Sequence, residues 1–95
     1  MRVRLTSRAY GELEQISNFF SDRSPATAAA IFAVLDRCFS RLQTMPYQGR
    51  ATSVPSVRCL VVPRFPYKVF YRVASDTVEV LSIFHTSRPP NRDME

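Results

Sequence analysis

Val57-Arg58-Cys59-Leu60-Val61-Val62, Tyr67-Lys68-Val69-Phe70-Tyr71-Arg72-Val73 and Val78-Glu79-Val80-Leu81-Ser82-Ile83-Phe84 follow one another in the second half of the chain, and their reading decides the fold. Each run is rich in the β-branched and aromatic residues that suit a pleated, half-buried backbone. Pro63-Arg64-Phe65-Pro66 separates the first two runs, and Ala74-Ser75-Asp76-Thr77 separates the second pair. Links this short cannot carry a crossover, so the three strands are expected to form an antiparallel meander. If Val73 pairs with Val78, then Tyr71 faces Val80, Val69 faces Ser82 and Tyr67 faces Phe84 on one side of the sheet. Lys68, Phe70 and Arg72 then share the other side with Glu79, Leu81, Ile83 and His85. A slip of one residue would reverse this assignment. Both sides carry apolar groups, so helices must cover one face and the other is a candidate binding surface.

Working back from the meander, Tyr47 to Ser56 contains Gly49, Pro55 and small polar residues without a sustained period, which predicts a surface loop. Before it, Ala28, Phe32, Leu35, Phe39 and Leu42 recur at helical spacing, widened by Ile31 and Cys38. Ser24 reads as the N-cap of this helix with Pro25 in its first turn, and Met45-Pro46 ends it. A preceding helix carries Ala9, Leu13, Ile16 and Phe20 on its apolar stripe, with Arg8, Glu12 and Glu14 off it. The link Asp22-Arg23-Ser24-Pro25 is short enough to impose an antiparallel helical hairpin. Ala26, Ala28, Ala29 and Ala30 are expected to let the two axes approach closely. At the start of the chain, Val3 and Leu5 alternate with Arg2, Arg4 and Thr6 as in a half-buried strand. After the meander, Pro89-Pro90 prevents a regular strand, so the tail is expected to run over the surface. The expected class is α+β: an N-terminal strand, an antiparallel helical hairpin and a three-stranded antiparallel meander, with residues 1–95 forming a single domain.

Composition narrows the function. The chain has 95 residues, 45% of them hydrophobic, and only two glycines, which fits a packed domain with a small core. The longest apolar run, Ala28 to Leu35, is too short to span a bilayer, and no apolar segment follows the N-terminal charges as in an export signal. A cytoplasmic protein is expected. Cys38 lies in a helical pattern and Cys59 in a strand pattern, so two buried, reduced thiols are expected. One histidine and two scattered cysteines make a zinc site an unsuitable reading, and no cofactor is expected. The formal charge is +5, and all but one of the thirteen basic residues are arginine, whose planar fork suits phosphate and carboxylate. Nucleic acid and acidic protein segments are the partners this balance admits.

The order of elements, together with Leu42-x-x-x-Pro46-x-x-Gly49-Arg50, Val57-Arg58-x-Leu60, Phe65-Pro66-Tyr67-x-x-Phe70-Tyr71-Arg72-Val73 and His85-x-x-Arg88, resembles the ParE/RelE toxin superfamily over nearly the whole chain. The resemblance implies the toxin of a type II toxin–antitoxin system, of the kind that serves plasmid stabilization, held inactive by a cognate, ParD-like antitoxin. A basic toxin with a mixed apolar and cationic surface suits an acidic segment that folds on binding.

Two activities occur in the superfamily. RelE-like members cut messenger RNA on the ribosome, which requires groups that remove a proton from the 2′-hydroxyl, stabilise the phosphate and neutralise the leaving oxygen. The positions aligned with their second-strand lysines are Leu60 and Val62, which can do none of this. Lys68, His85 and Arg88 are the residues such a nuclease would have to use, and a late tyrosine is missing. His85 has a side chain suited to acid–base work near neutrality, although a strand-end histidine bonded to backbone is the commoner arrangement. The ending His85-x-x-Arg88 and the absent lysines are more similar to the ParE branch, which implies a non-enzymatic inhibitor of DNA gyrase. Arg58, Tyr67, Lys68, Arg72, His85, Arg88 and Arg92 are the candidate contacts to target or antitoxin. Arg58 and Arg88 have a competing role as ion-pair partners of Glu79 or Asp76.

Overall fold

Thr6 stands where alternation gives way to helical spacing, and its hydroxyl accepts the Ala9 N–H at 3.2 Å. This N-cap turns the chain from β1 (Arg2–Leu5) straight into α1 (Ser7–Ser21). The computed structural model describes residues 1–86. Ser24 caps α2 (Pro25–Thr44) by accepting the Thr27 N–H at 3.3 Å, with Pro25 in the first turn as expected. Met45 closes that helix, its N–H donating to the Arg41 carbonyl at 2.7 Å ahead of Pro46. No helix among the described residues is long and apolar enough to cross a membrane.

The meander is present as β3 (Val57–Val61), β4 (Tyr67–Ala74) and β5 (Thr77–His85). The expected loop from Tyr47 to Ser56 contains one further element, the two-residue strand β2 (Arg50–Ala51), which pairs antiparallel with Arg58 and Cys59. Two residues are too few to leave a periodic trace in the sequence. The five-stranded sheet has the order β1-β5-β4-β3-β2, with β1 parallel to β5 through Val3↔Val78 and Leu5↔Val80. A parallel pair needs a long crossover, and the helical hairpin and meander provide it.

The helices cover one face. Ala9 and Ile16 of α1 and Ile31, Val34, Leu35, Cys38 and Leu42 of α2 pack with Val62, Tyr67, Val69, Tyr71, Val78, Val80 and Ile83. The apolar stripe of α2 is therefore centred on Ile31, Leu35 and Cys38, with Phe32 and Phe39 at its partly buried flanks. The alanines do not act as expected: Ala26, Ala29 and Ala30 are exposed, because the helix turns its bulkier residues inward, and only Ala28 is half-buried.

The β4–β5 register differs from the expectation at one point. Val73↔Val78 and Tyr71↔Val80 pair as read, but an irregularity at Phe70/Tyr71 inserts an extra residue on β5. Val69 then opposes Ile83 rather than Ser82, and Tyr67 opposes His85 rather than Phe84. A β-bulge shifts every later side chain by one position, so Ile83 and His85 move to the helix side.

Candidate binding surface

The sheet face away from the helices is built from alternate residues of four strands. β3 contributes Val57, Cys59 and Val61, β4 contributes Lys68, Phe70 and Arg72, β5 contributes Glu79, Leu81 and Phe84, and β1 contributes Arg4. At its centre Val57, Cys59 and Phe70 are buried, and Val54, Leu81 and Phe84 pack around them. Val54 reaches this cluster from the loop after β2. Thr52 holds the loop there, its hydroxyl accepting the Val54 N–H at 3.2 Å and lying 2.9 Å from the Val57 carbonyl. Phe70 and Phe84 meet edge to face with centroids 6.1 Å apart. The result is a small apolar centre, with Val61 59% exposed toward one side.

Charge lies around that centre. Glu79 pairs with Arg72 at 2.7 Å and also with Arg4, joining three neighbouring strands. The Arg72 guanidinium, with Arg4 beside it, holds the Glu79 carboxyl below its ordinary value. Both arginines keep much of their side chains exposed, so the surface remains cationic after pairing. Lys68 adds a further positive charge next to Phe84.

The candidate residues from the sequence separate into distinct places. Lys68 and Arg72 lie on the open face. Arg58 does not pair with Glu79 or Asp76. Its guanidinium donates to the carbonyls of Gly49 at 2.6 Å and Tyr47 at 3.2 Å and lies 5.1 Å from the Tyr47 ring centroid. Tyr67 is buried on the helix side, edge-on to His85 with centroids 5.2 Å apart. The bulge therefore puts Lys68 and His85 on opposite faces of the sheet. Arg88 and Arg92 lie outside the described residues, as does the rest of the tail beyond Thr86.

Leu60 and Val62 point into the main core, where Val62 is 2% exposed. The β3 residues that do face the open side are Val57, Cys59 and Val61, and none is basic. Two structural roles escaped the sequence reading. Glu12 lies off the α1 stripe but reaches the bulge, accepting the Ser82 hydroxyl at 3.1 Å and the Ile83 N–H at 2.9 Å. Gly49 donates its N–H to the buried Tyr71 hydroxyl at 2.8 Å. Burial pushes the Tyr71 phenol up, outweighing the nearby Gly49 N–H and Arg58 charge. That Gly49 is one of only two glycines was the available signal; Glu12 left none.

A five-stranded mixed sheet with a helical hairpin on one face is a fold shared with known toxins. The family described as the ParE toxin of the type II toxin–antitoxin system parDE matches residues 3–90. A Sinorhizobium fredii protein named as a toxin, Y4kP, is 33% identical over 84 residues, covering 88% of this chain and 86% of that protein. The chromosomal ParDE toxin–antitoxin system from P. aeruginosa contains a chain that superposes with a TM-score of 0.79 at 26% identity, covering 90% of this chain and 95% of that one. The isolated E. coli RelE toxin shares the fold at a TM-score of 0.64 and 14% identity, covering 93% of this chain and 86% of that one. The chain belongs to the ParE family of type II toxin–antitoxin toxins.

Proposed function

We propose that this ParE-family toxin acts in the cytoplasm as one domain, by binding DNA gyrase and not by cutting nucleic acid, and that a cognate antitoxin neutralises it. The observation that carries this reading is the identity of the β3 residues on the open face. Val57, Cys59 and Val61 carry no positive charge to hold a phosphate, and Leu60 and Val62, aligned with the second-strand lysines of RelE-like nucleases, are apolar and turned into the core. The separation of Lys68 from His85 supports it further, since groups on opposite faces of a sheet cannot act on one phosphate. The apolar centre with Lys68, Arg72 and Arg4 around it suits an acidic amphipathic antitoxin segment. The similarity to a chain of a ParDE system supports the same partner. Arg88 and Arg92 are proposed target contacts on charge alone.

The test is to incubate the purified protein with gyrase, ATP and supercoiled plasmid, and to measure linear DNA after detergent and protease treatment. Linear DNA above the toxin-free control is the expected result. Its absence with folded protein would overturn the gyrase reading, and cleavage of messenger RNA on ribosomes would replace it with the nuclease.

A further inference from the structure

Charge is unevenly distributed along this chain. From Arg37 to Ser75 there are seven basic residues and no acidic one, whereas all eight acidic residues lie outside that stretch. A general preference for arginine would not remove aspartate and glutamate from 39 consecutive positions. Within this stretch the turn between α2 and β2 presents Met45 at 59% and Tyr47 at 61% exposure. Arg41, on the last turn of α2, and Arg50, on β2, flank the turn and are both exposed.

The turn is held firmly. Arg58 bonds to its carbonyls at Tyr47 and Gly49, and its guanidinium lies over one side of the Tyr47 ring. Gly49 is anchored to Tyr71, and its position is too tight for any larger residue: a Cβ there would come within 2.6 Å of the Tyr71 hydroxyl and 2.9 Å of the Cys59 carbonyl. An aromatic ring backed by a cation and fixed in the solvent loses little entropy when a flat ligand stacks on it. Planar stacking with arginines on either side is the chemistry of unpaired bases and their phosphates.

We infer that the Met45–Arg50 turn is a contact for single-stranded DNA, with a base stacked on Tyr47 and phosphates held by Arg41 and Arg50. The inference rests on the gyrase reading only in the choice of DNA over RNA, because gyrase is an enzyme that works on DNA.

The experiment measures fluorescence anisotropy of a labelled single-stranded DNA 12-mer against salt concentration, with gyrase trapping assayed separately. Tyr47→Ala leaves the net charge unchanged and should weaken binding roughly tenfold. Arg50→Gln should reduce the salt slope by about 0.7. Arg23→Gln removes the same charge from the helical hairpin and should leave both quantities unchanged. Absence of binding by the wild type at low salt, equal binding by Tyr47→Ala, or equal effects of Arg23→Gln and Arg50→Gln would each overturn the inference. So would tighter binding to the RNA of the same sequence or to a polyglutamate peptide. Gyrase trapping by a wild-type protein that binds no DNA strand would defeat this inference alone. DNA-strand binding through Tyr47 without trapping would support it and defeat the gyrase reading.

Discussion

The Glu12 carboxylate accepts the backbone N–H of Ile83 at 2.9 Å, tying the first helix to the last strand across a separation of 71 residues. The contact falls where β1 has ended. Strand β1 pairs with β5 only as far as Val80, so the edge of β5 beyond it lacks a neighbouring strand. A carboxylate from α1 supplies the acceptor that a strand would have supplied, and the Ser82 hydroxyl, itself 1% exposed, uses the second oxygen. Glu12→Ala should therefore destabilise the domain by about 1–3 kcal/mol, as expected when buried donors lose a charged acceptor. Glu12→Gln keeps one acceptor oxygen and should lose less. Urea unfolding of the three proteins checks this, and equal midpoints for Glu12→Ala and wild type would refute it.

Gly49 is constrained by its neighbours and not by its backbone angles. Gly49→Ala forces a methyl group against Tyr71 and the Cys59 carbonyl, and overpacking of this kind should destabilise by about 1–3 kcal/mol. Tyr71→Phe removes the hydroxyl that receives the Gly49 N–H and should lose a similar amount, about 1–3 kcal/mol. The double variant should not recover stability, because the Tyr71 ring carbon at 2.8 Å and the Cys59 carbonyl remain in the way. Full recovery in thermal melts would show that the hydroxyl alone limits the site.

Leu35 is 1% exposed between the helices and the sheet. Leu35→Ala should cost about 2–5 kcal/mol through lost burial and the cavity left behind. A change below about half a kcal/mol in denaturant unfolding would contradict the packing of α2.

Glu79 gives the fold a defined acid response. Its folded pKa lies below the ordinary 4.5, because Arg72 and Arg4 favour the carboxylate. The sign follows directly: its contribution is present above the unfolded value and is lost as pH falls through the lower folded value. Stability should thus decline with acid below about pH 4.5. Arg72→Ala should flatten that decline, and added salt should flatten it in the wild type, since the pair lies at the surface. A decline of unchanged steepness in Arg72→Ala would place its origin elsewhere.

Much of this fold was legible in the sequence because its signals are local. Alternation marked β1, runs of β-branched and aromatic residues marked the meander, Ser24-Pro25 marked the start of α2, and the short links dictated antiparallel neighbours. The parallel β1–β5 pair was not legible, since no local pattern links Val3 to Val78. Nor was the bulge, because Leu81, Ser82, Ile83 and Phe84 read equally well in either register until Glu12 is placed beside them. That one residue matters for the site. It moves His85 away from Lys68, and so it separates two groups that the linear sequence had placed on one surface. Arg58 shows the opposite difficulty: its charge suggested a ligand, while its partners are carbonyls of a turn eleven and nine residues before it.

The pairing of the first strand with the last has a consequence for synthesis on the ribosome. Residues 2–5 have no strand to join until residues 77–80 have emerged, and the helical hairpin has little sheet to cover before then. The cationic open face, which combines β1, β3, β4 and β5, is likewise assembled only in the last stage of translation. The open face is therefore completed late, together with the sheet that carries it, and not piece by piece as the chain grows.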